Sequence, residues 1–137
     1  MFKDISPDTL VVRDFVMEKG KLHILIIDDE SSVLKALVLL LSAMGYKVSS
    51  AISGREGLDI LGEEPIECII CDLRMPEMDG LEVLKESKRL YPDIPFIMLS
   101  GHADSQDVEQ AKELGMDYFL AKPSSPEDLK RAILAVI

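Results

Sequence analysis

The chain has 137 residues, of which 47% are hydrophobic, and a formal net charge of −10. That length suits one domain with a buried core, and the hydrophobic content argues against a disordered chain. The acidic balance argues against direct nucleic-acid binding, which needs a basic face, and no apolar run is long enough to cross a membrane. Asp4, Asp8 and Asp14 do not fit a signal peptide, so we expect a cytoplasmic protein.

Residues 1–20 are interpreted as an N-terminal extension of a domain that occupies residues 21–137. Ser6-Pro7-Asp8 is a helix-start signal, with a capping residue followed by proline. We therefore predict a short helix, whose apolar face is formed by Val11, Val12, Phe15 and Val16.

The rest of the chain alternates apolar runs of strand length with helical segments. The predicted strands cover residues 22–27, 46–51, 67–72, 95–100 and 118–121, and the predicted helices cover residues 31–44, 53–62, 81–90, 104–114 and 125–137. This alternation predicts an α/β fold, in which a five-stranded parallel sheet carries helices on both faces. Right-handed crossovers favour a doubly wound, flavodoxin-like sheet with strand order 2-1-3-4-5.

Cys68 and Cys71, on the third predicted strand, have the spacing of half a zinc site. Residues three apart on a strand point to opposite faces, however, and no second Cys or His pair completes a set of four ligands. We therefore predict two reduced cysteines that are buried in the core.

Polar side chains occur where four of the predicted strands end. They are Asp28 and Asp29 after the first strand, Asp72 on the third, Ser100 on the fourth and Lys122 after the fifth. These ends meet at the edge where open α/β sheets bind their ligands. Crowded carboxylates repel one another, and a hard divalent cation relieves that repulsion. Oxygen ligands without His or thiolate favour Mg²⁺, or Mn²⁺ in its place, and the lysine adds a compact positive charge opposite the carboxylates.

This set of residues suits an aspartate that attacks a phosphoryl group, because a metal and a lysine neutralise the oxygens that are transferred. The Ser100 hydroxyl can hydrogen-bond the phosphate once it is attached. Each residue also has an ordinary alternative role: Asp29 or Ser31 as a helix cap, Lys122-Pro123 as a turn, Phe119 as a core residue. Their joint position at one edge of the sheet favours the functional interpretation.

With these motifs in this order, residues 21–137 resemble a CheY-like receiver domain of a bacterial two-component response regulator. The matching motifs are Asp28-Asp29, Asp72 before Met75-Pro76-Glu77-Met78-Asp79-Gly80, Ser100-Gly101 and Lys122-Pro123. The resemblance implies a phosphorelay module that receives a phosphoryl group from a histidine kinase or a histidine phosphotransfer protein. It also implies that the chain is no enzyme beyond catalysing its own phosphorylation and dephosphorylation. A downstream effector would read the changed surface around the fourth and fifth strands.

The resemblance also assigns roles to individual residues. Asp72 is the phosphoacceptor, and Lys122 contacts the phosphoryl oxygens. Asp29 and Asp72 bind the metal directly, the backbone carbonyl of Arg74 is a third protein ligand, and Asp28 acts largely through water.

The resemblance further makes Ser100 and Phe119 a switch pair, in which the hydroxyl moves towards the phosphate and the ring turns inward. Strand register decides whether Phe119 or its neighbour Tyr118 faces inward. Arg74 and His102 lie two residues beyond Asp72 and Ser100, at positions that tune the lifetime of the acyl phosphate in the family. We expect Arg74 to hinder the attack of water, and two solvated surface side chains are the alternative.

The first predicted helix is more apolar than a surface helix needs to be. Its core face is predicted to contain Val33, Leu37, Leu40, Leu41 and Met44. Leu34, Val38 and Leu39 then lie on the flank, where we predict a docking patch for a partner's phosphotransfer helices or for the chain's own N-terminal segment. A wider buried face is the alternative.

Other functions stay open at this stage. The chain could be a fragment of a hybrid histidine kinase or of a multidomain regulator, and a homodimer is open. An aspartyl-nucleophile phosphatase of the haloacid dehalogenase type is less favoured, because Asp72-Leu73-Arg74-Met75 lacks the second acid of the Asp-x-Asp pattern. A flavodoxin-like binding module is disfavoured because no phosphate-cradling loop follows the first strand.

Overall fold

The computed structural model describes residues 9–12, 15–18 and 21–137. Near the N-terminus, strands β1 (Thr9–Val12) and β2 (Phe15–Glu18) pair as an antiparallel ribbon. The predicted helix is therefore wrong over these residues, while its start signal at Ser6-Pro7-Asp8 lies outside the described residues. The physical reason is composition, since four of these eight residues, Thr9, Val11, Val12 and Val16, have β-branched side chains, which favour strands over helices.

The remaining elements agree with the predicted ones to within one residue at each end. The strands are β3 (His23–Ile27), β4 (Lys47–Ala51), β5 (Cys68–Asp72), β6 (Phe96–Ser100) and β7 (Tyr118–Ala121). The helices are α1 (Ser31–Ala43), α2 (Gly54–Glu63), α3 (Gly80–Leu90), α4 (Ser105–Glu113) and α5 (Pro126–Val136). The five strands are all parallel and lie in the order β4-β3-β5-β6-β7, which is the predicted order 2-1-3-4-5.

The sheet has a buried core on each face. Alternate residues of β3 point to opposite sides, so Leu25 and Ile27 pack towards α2, α3 and α4, while Ile24 and Ile26 pack towards α1 and α5. Cys68 and Cys71 are free, buried and on opposite faces, as predicted. Burial raises the pKa of Cys68 to about 12 and that of Cys71 well above its usual value, so both thiols stay protonated.

A polar network lies at the other end of the sheet from the predicted site. The His23 ring is fully buried at the start of β3, and its Nε2 lies 2.7 Å from the Ser49 hydroxyl, which donates to Glu64 at 2.5 Å. Burial and nearby Lys47 lower the pKa of His23, while Glu64 acts in the opposite direction. The network joins β3, β4 and the residue that follows α2.

Helix α1 buries a different set of leucines from the one predicted. Leu34, Leu37 and Leu41 are its buried residues, because their spacing of three and four places them in one stripe against the sheet. Leu34, predicted on the flank, is only 6% exposed, and Val38 also packs on the core. Leu39, at 72% exposed, is the one member of the predicted patch that faces solvent. The predicted patch is therefore mostly core.

We expect Leu34→Ala to lower the free energy of unfolding by about 2–5 kcal/mol, because it removes buried methyl groups and leaves a cavity. The matched change Leu39→Ala on the same helix should stay within about 0.5 kcal/mol of the unaltered chain. Urea titration followed by circular dichroism measures both. Equal losses for the two variants would contradict the observed packing of α1.

Candidate functional site

The carboxyl edge of the sheet brings two acids and a lysine into contact. Asp28 follows β3, Asp72 ends β5 and Lys122 follows β7. The Nζ atom of Lys122 lies 2.9 Å from Oδ2 of Asp28 and 3.3 Å from Oδ1 of Asp72. Asp28 and Asp72 are both buried. The predicted convergence of these residues is therefore present, and a partly buried lysine contacts the acids of two strand ends.

A third carboxylate completes an oxygen cluster at this edge. One oxygen from each of Asp28, Asp29 and Asp72 lies within 4.8 Å of the others, and Asp29 is exposed while the other two are buried. Helix α1 begins after Glu30 without a side-chain cap, so neither Asp29 nor Ser31 has the capping role considered above. Three carboxylates at this separation fit a hard divalent cation that keeps part of its water shell.

Burial and neighbouring charges both shift the pKa values of the residues at this site. Burial raises the pKa of Asp72, Lys122 partly lowers it, and the carboxylates of Asp28 and Asp29 raise it further. Burial acts to lower the pKa of Lys122, but its hydrogen bond to Asp28 and the negative charge of Asp72 outweigh burial and raise it. Lys122 is consequently a fixed cation at neutral pH. Any further positive charge that approaches Asp72 would stabilise its ionised form.

Ser100 and Phe119 lie on the same side of the sheet. Ser100 ends β6 and is buried, its Oγ accepts a hydrogen bond from the His102 backbone N–H at 3.2 Å, and its carbonyl accepts from the Lys122 N–H at 2.9 Å. Register pairs Phe119 with Met98, which shares a face with Ser100 because strand residues alternate. Phe119 packs partly buried against this core, whereas Tyr118 packs on the opposite face. A switch at Phe119 stays a prediction.

The two predicted rate-tuning residues differ in their contacts. His102 is exposed in the loop after β6. The guanidinium group of Arg74, in the loop after β5, forms an ion pair with Asp107 in the first turn of α4. Asp107 is not among the site residues predicted from the sequence. The pattern that could have indicated it is the helix start Asp104-x-x-Asp107. In this capping box, each aspartate side chain accepts a hydrogen bond from the backbone N–H of the other.

An apolar groove of about 690 Å³ lies beside the site. It runs between α1 and the segment that joins β7 to α5, and its lining includes His102 and Lys122, which contacts Asp28 and Asp72. Its apolar lining comes from Val33, Leu37, Leu40, Leu99, Pro123 and Leu129. Sequence patterns place α1 and α5 on the same face of the sheet, but the depth between them depends on how the two helices pack.

Comparison with known proteins identifies the family. The family model for the response regulator receiver domain matches residues 24–134. The chain is 40% identical over 111 residues to the transcriptional regulatory protein GlrR of Escherichia coli (strain K12), which covers 81% of this chain and 25% of that protein. It is 37% identical over 107 residues to the response regulator SaeR of Staphylococcus aureus (strain USA300), covering 78% and 46%. The chain thus spans about a quarter to a half of these relatives.

Solved structures agree with this match over most of their own length. A response regulator receiver domain protein from Clostridium thermocellum superposes with a TM-score of 0.80 at 37% identity, covering 84% of this chain and 94% of that chain. A CheY-like receiver domain protein from Methanospirillum hungatei JF-1 gives a TM-score of 0.81 at 31% identity, covering 83% and 91%. Within the part of the chain that the structure describes, no helix is long and apolar enough to span a membrane. With its strand order, its strand-end acids and lysine, and this similarity, the chain belongs to the response regulator receiver domain family.

Proposed function

We propose that the chain is the phosphoacceptor module of a two-component phosphorelay and that Asp72 is the residue phosphorylated. The observation that carries this proposal is the contact of Lys122 with both Asp28 and Asp72 at the carboxyl edge of the sheet. A partly buried lysine held beside a buried carboxylate provides positive charge where phosphoryl oxygens would lie.

In the proposed reaction, an Asp72 carboxylate oxygen attacks the phosphorus of a phosphohistidine on a partner protein. The new oxygen–phosphorus bond forms as the phosphorus–nitrogen bond breaks, and the electron pair returns to the imidazole of the donor. Lys122 contacts a transferred oxygen and offsets its charge. Asp28, Asp29, Asp72 and the backbone carbonyl of Arg74 would hold Mg²⁺ or Mn²⁺. Such a cation, when bound, neutralises charge on the phosphoryl oxygens.

The output of the module is proposed to run through Ser100 and Phe119. The Ser100 hydroxyl, which accepts from the His102 N–H, would turn its proton towards the new phosphoryl group. Phe119 lies on the same side of the sheet and is only partly buried, and its ring would turn inward in response. The surface around β6 and β7, the fourth and fifth strands of the sheet, would then change and be read by an effector.

We propose that the phosphodonor partner docks in the groove between α1 and the β7–α5 segment. Apolar residues of α1 line the groove, and so does Lys122, which contacts Asp72. A helical partner with an apolar face would therefore bring its phosphohistidine close to Asp72.

The relatives that are transcriptional regulators extend well beyond the matched region, which favours a receiver attached to an effector domain. A receiver within a hybrid kinase is the alternative. We further propose a cytoplasmic location and no turnover of external substrates.

The experiment is to incubate the chain with Mg²⁺ and acetyl phosphate and to locate the modified residue by mass spectrometry. We expect one phosphate per chain, on Asp72, which is lost when the metal is chelated or when Asp72 is replaced by Asn. Asp93→Asn, at an exposed aspartate before β6, is the matched control and should be phosphorylated normally. Continuous release of phosphate in large excess over protein would favour a phosphatase instead.

A further inference from the structure

Lys88, in the last turn of α3, joins three separate parts of the fold. Its ammonium group donates to Oδ2 of Asp117 at 2.9 Å, to the Ile94 carbonyl at 2.9 Å and to the Pro92 carbonyl at 3.5 Å. These three acceptors match the three N–H donors of an ammonium group. They belong to the loop before β6 and to the turn before β7. Because the Lys88 side chain is only 17% exposed, its ion pair with Asp117 is partly buried.

Asp117 uses the same carboxylate oxygen to hold the start of β7 against β6. Its Oδ2 accepts from the Phe96 N–H at 2.8 Å, and its own N–H donates to the Phe96 carbonyl at 3.0 Å. Phe96 is the first residue of β6, and Asp117 directly precedes β7. These two hydrogen bonds therefore fix how the starts of the two strands align, and Lys88 holds the carboxylate that makes one of them.

Strand β7 depends on a fixed start because it is short and lies at an edge. It has four residues, and among the described strands it pairs with β6 alone. Its other end is held by the Lys122 N–H, which donates to the Ser100 carbonyl at 2.9 Å. Tyr118 and Phe119 are both aromatic and both partly buried, so their own packing distinguishes only weakly between the two faces of the sheet.

We propose that Lys88, acting through Asp117, is a positioning residue for Phe119. This inference rests on the proposed function, in which the Phe119 ring turns inward after Asp72 is phosphorylated. With the start of β7 held, the ring keeps its outer position until phosphorylation. Without the Lys88 charge, the start of β7 loosens, and the ring occupies both positions beforehand. Lys88 acts at the amino ends of the strands, whereas Asp72 lies at their carboxyl edge, so the phosphorylation reaction itself is unaffected.

The test uses Lys88→Met, which removes the charge and the donors but keeps an apolar stem. That stem passes close to Gly115, where an added Cβ would lie 3.5 Å from Lys88 Cγ. Hydrogen exchange is measured by nuclear magnetic resonance at the backbone amides that bound β7. We expect the Asp117 amide to exchange about tenfold to hundredfold faster, which corresponds to losing hydrogen bonds to a charged group. The Lys122 amide should stay within about twofold of its original rate.

The second readout is the ring resonance of Phe119, recorded before and after treatment with acetyl phosphate and Mg²⁺. In the unaltered chain we expect this resonance to move when Asp72 is phosphorylated. In Lys88→Met the ring already samples both positions, so the shift should fall to about half or less. The rate of phosphorylation, followed by mass spectrometry, should stay within about twofold, because the two sites do not share partners.

Lys88→Arg retains the charge and should restore both readouts. Lys112→Met is the matched control, because it makes the same change in an exposed ion pair with Glu109 on α4 and should alter neither readout. If Lys88→Met does not fold, Asp117→Asn tests the same pair. It removes the charge, keeps an oxygen that can accept from the Phe96 N–H, and should reduce the ring shift in the same way.

An unchanged ring shift in phosphorylated Lys88→Met overturns the positioning role alone. Equal acceleration of exchange at the Asp117 and Lys122 amides also overturns it, because that result would show a general loosening of the sheet. A Phe119 resonance that does not move in the phosphorylated, unaltered chain removes the switch and the positioning role together. Absence of phosphate on Asp72 in the unaltered chain overturns the proposed function and this inference with it.

Discussion

Replacement of Lys122 by alanine is expected to slow phosphorylation of Asp72 by roughly 10²–10³-fold, the usual cost of removing one charge-stabilising group from a site. The reason is geometric, since Lys122 lies 2.9 Å from Asp28 and 3.3 Å from Asp72 and brings its charge to the point of attack. The rate is measured with acetyl phosphate and Mg²⁺, by mass spectrometry of the intact protein over time.

The matched control is Lys130→Ala, which removes an exposed lysine from α5 and should leave the rate unchanged.

The Lys122→Ala substitution should also change the titration of the Asp72 carboxyl group. Lys122 lowers the pKa of Asp72, so its removal should move that pKa further upward, as read from the carboxyl carbon by nuclear magnetic resonance. A near-normal rate with an unmoved Asp72 pKa would show that the lysine does not act on this carboxylate.

Gly80→Ala is expected to lower the free energy of unfolding by roughly 2–3 kcal/mol, the cost of forcing an atom into packed surroundings. Gly80 begins α3, and its N–H donates to the Leu73 carbonyl at 2.8 Å. An added Cβ would lie 2.8 Å from Leu73 Cα and 2.9 Å from Met98 Sδ, and closer still to the Asp72 carbonyl oxygen. Two of these three neighbours are backbone atoms at the strand end that carries Asp72. Removing the steric overlap would therefore move the backbone of the site itself.

Gly62→Ala is the matched control, because a Cβ there meets only the Tyr91 hydroxyl oxygen at 3.8 Å. Gly62 lies within α2, and alanine favours helix over glycine, so this variant should gain up to about 1 kcal/mol. Guanidinium titration gives both free energies. Two changes of the same sign and size would mean that the close approach at Gly80 is not what requires glycine.

The strands of the sheet were predictable because their signals are local. A run such as residues 68–71 is apolar at every position, as a strand buried on both faces requires, and Asp72 marks where it surfaces. The N-terminal segment was mispredicted because its apolar residues fit a helical face and a strand pair equally well. The β-branched residues Val11 and Val12 favour the strand, because branching at Cβ restricts a side chain in a helix.

Other features depend on partners that are far away in sequence. Helical spacing alone cannot decide whether Leu34 or Leu39 faces the core, because the answer depends on the direction in which α1 packs on the sheet. The pairing of Arg74 with Asp107 joins residues 33 positions apart, and no local pattern connects them. Whether Phe119 or Tyr118 lies on the same face as Ser100 depends on the register of β7 against β6.

By itself, the sequence determined the alternation of strands and helices, the topology and the set of residues at the carboxyl edge. It could do so because the spacing of apolar residues and the polar residues that end each strand are local features of the sequence. The tertiary structure alone decided the distances from Lys122 to its two acids, the groove beside α1 and the partner of Arg74. Those features arise where separate elements meet. Contacts between segments that are distant in sequence do not produce a local pattern of residues from which they could be predicted.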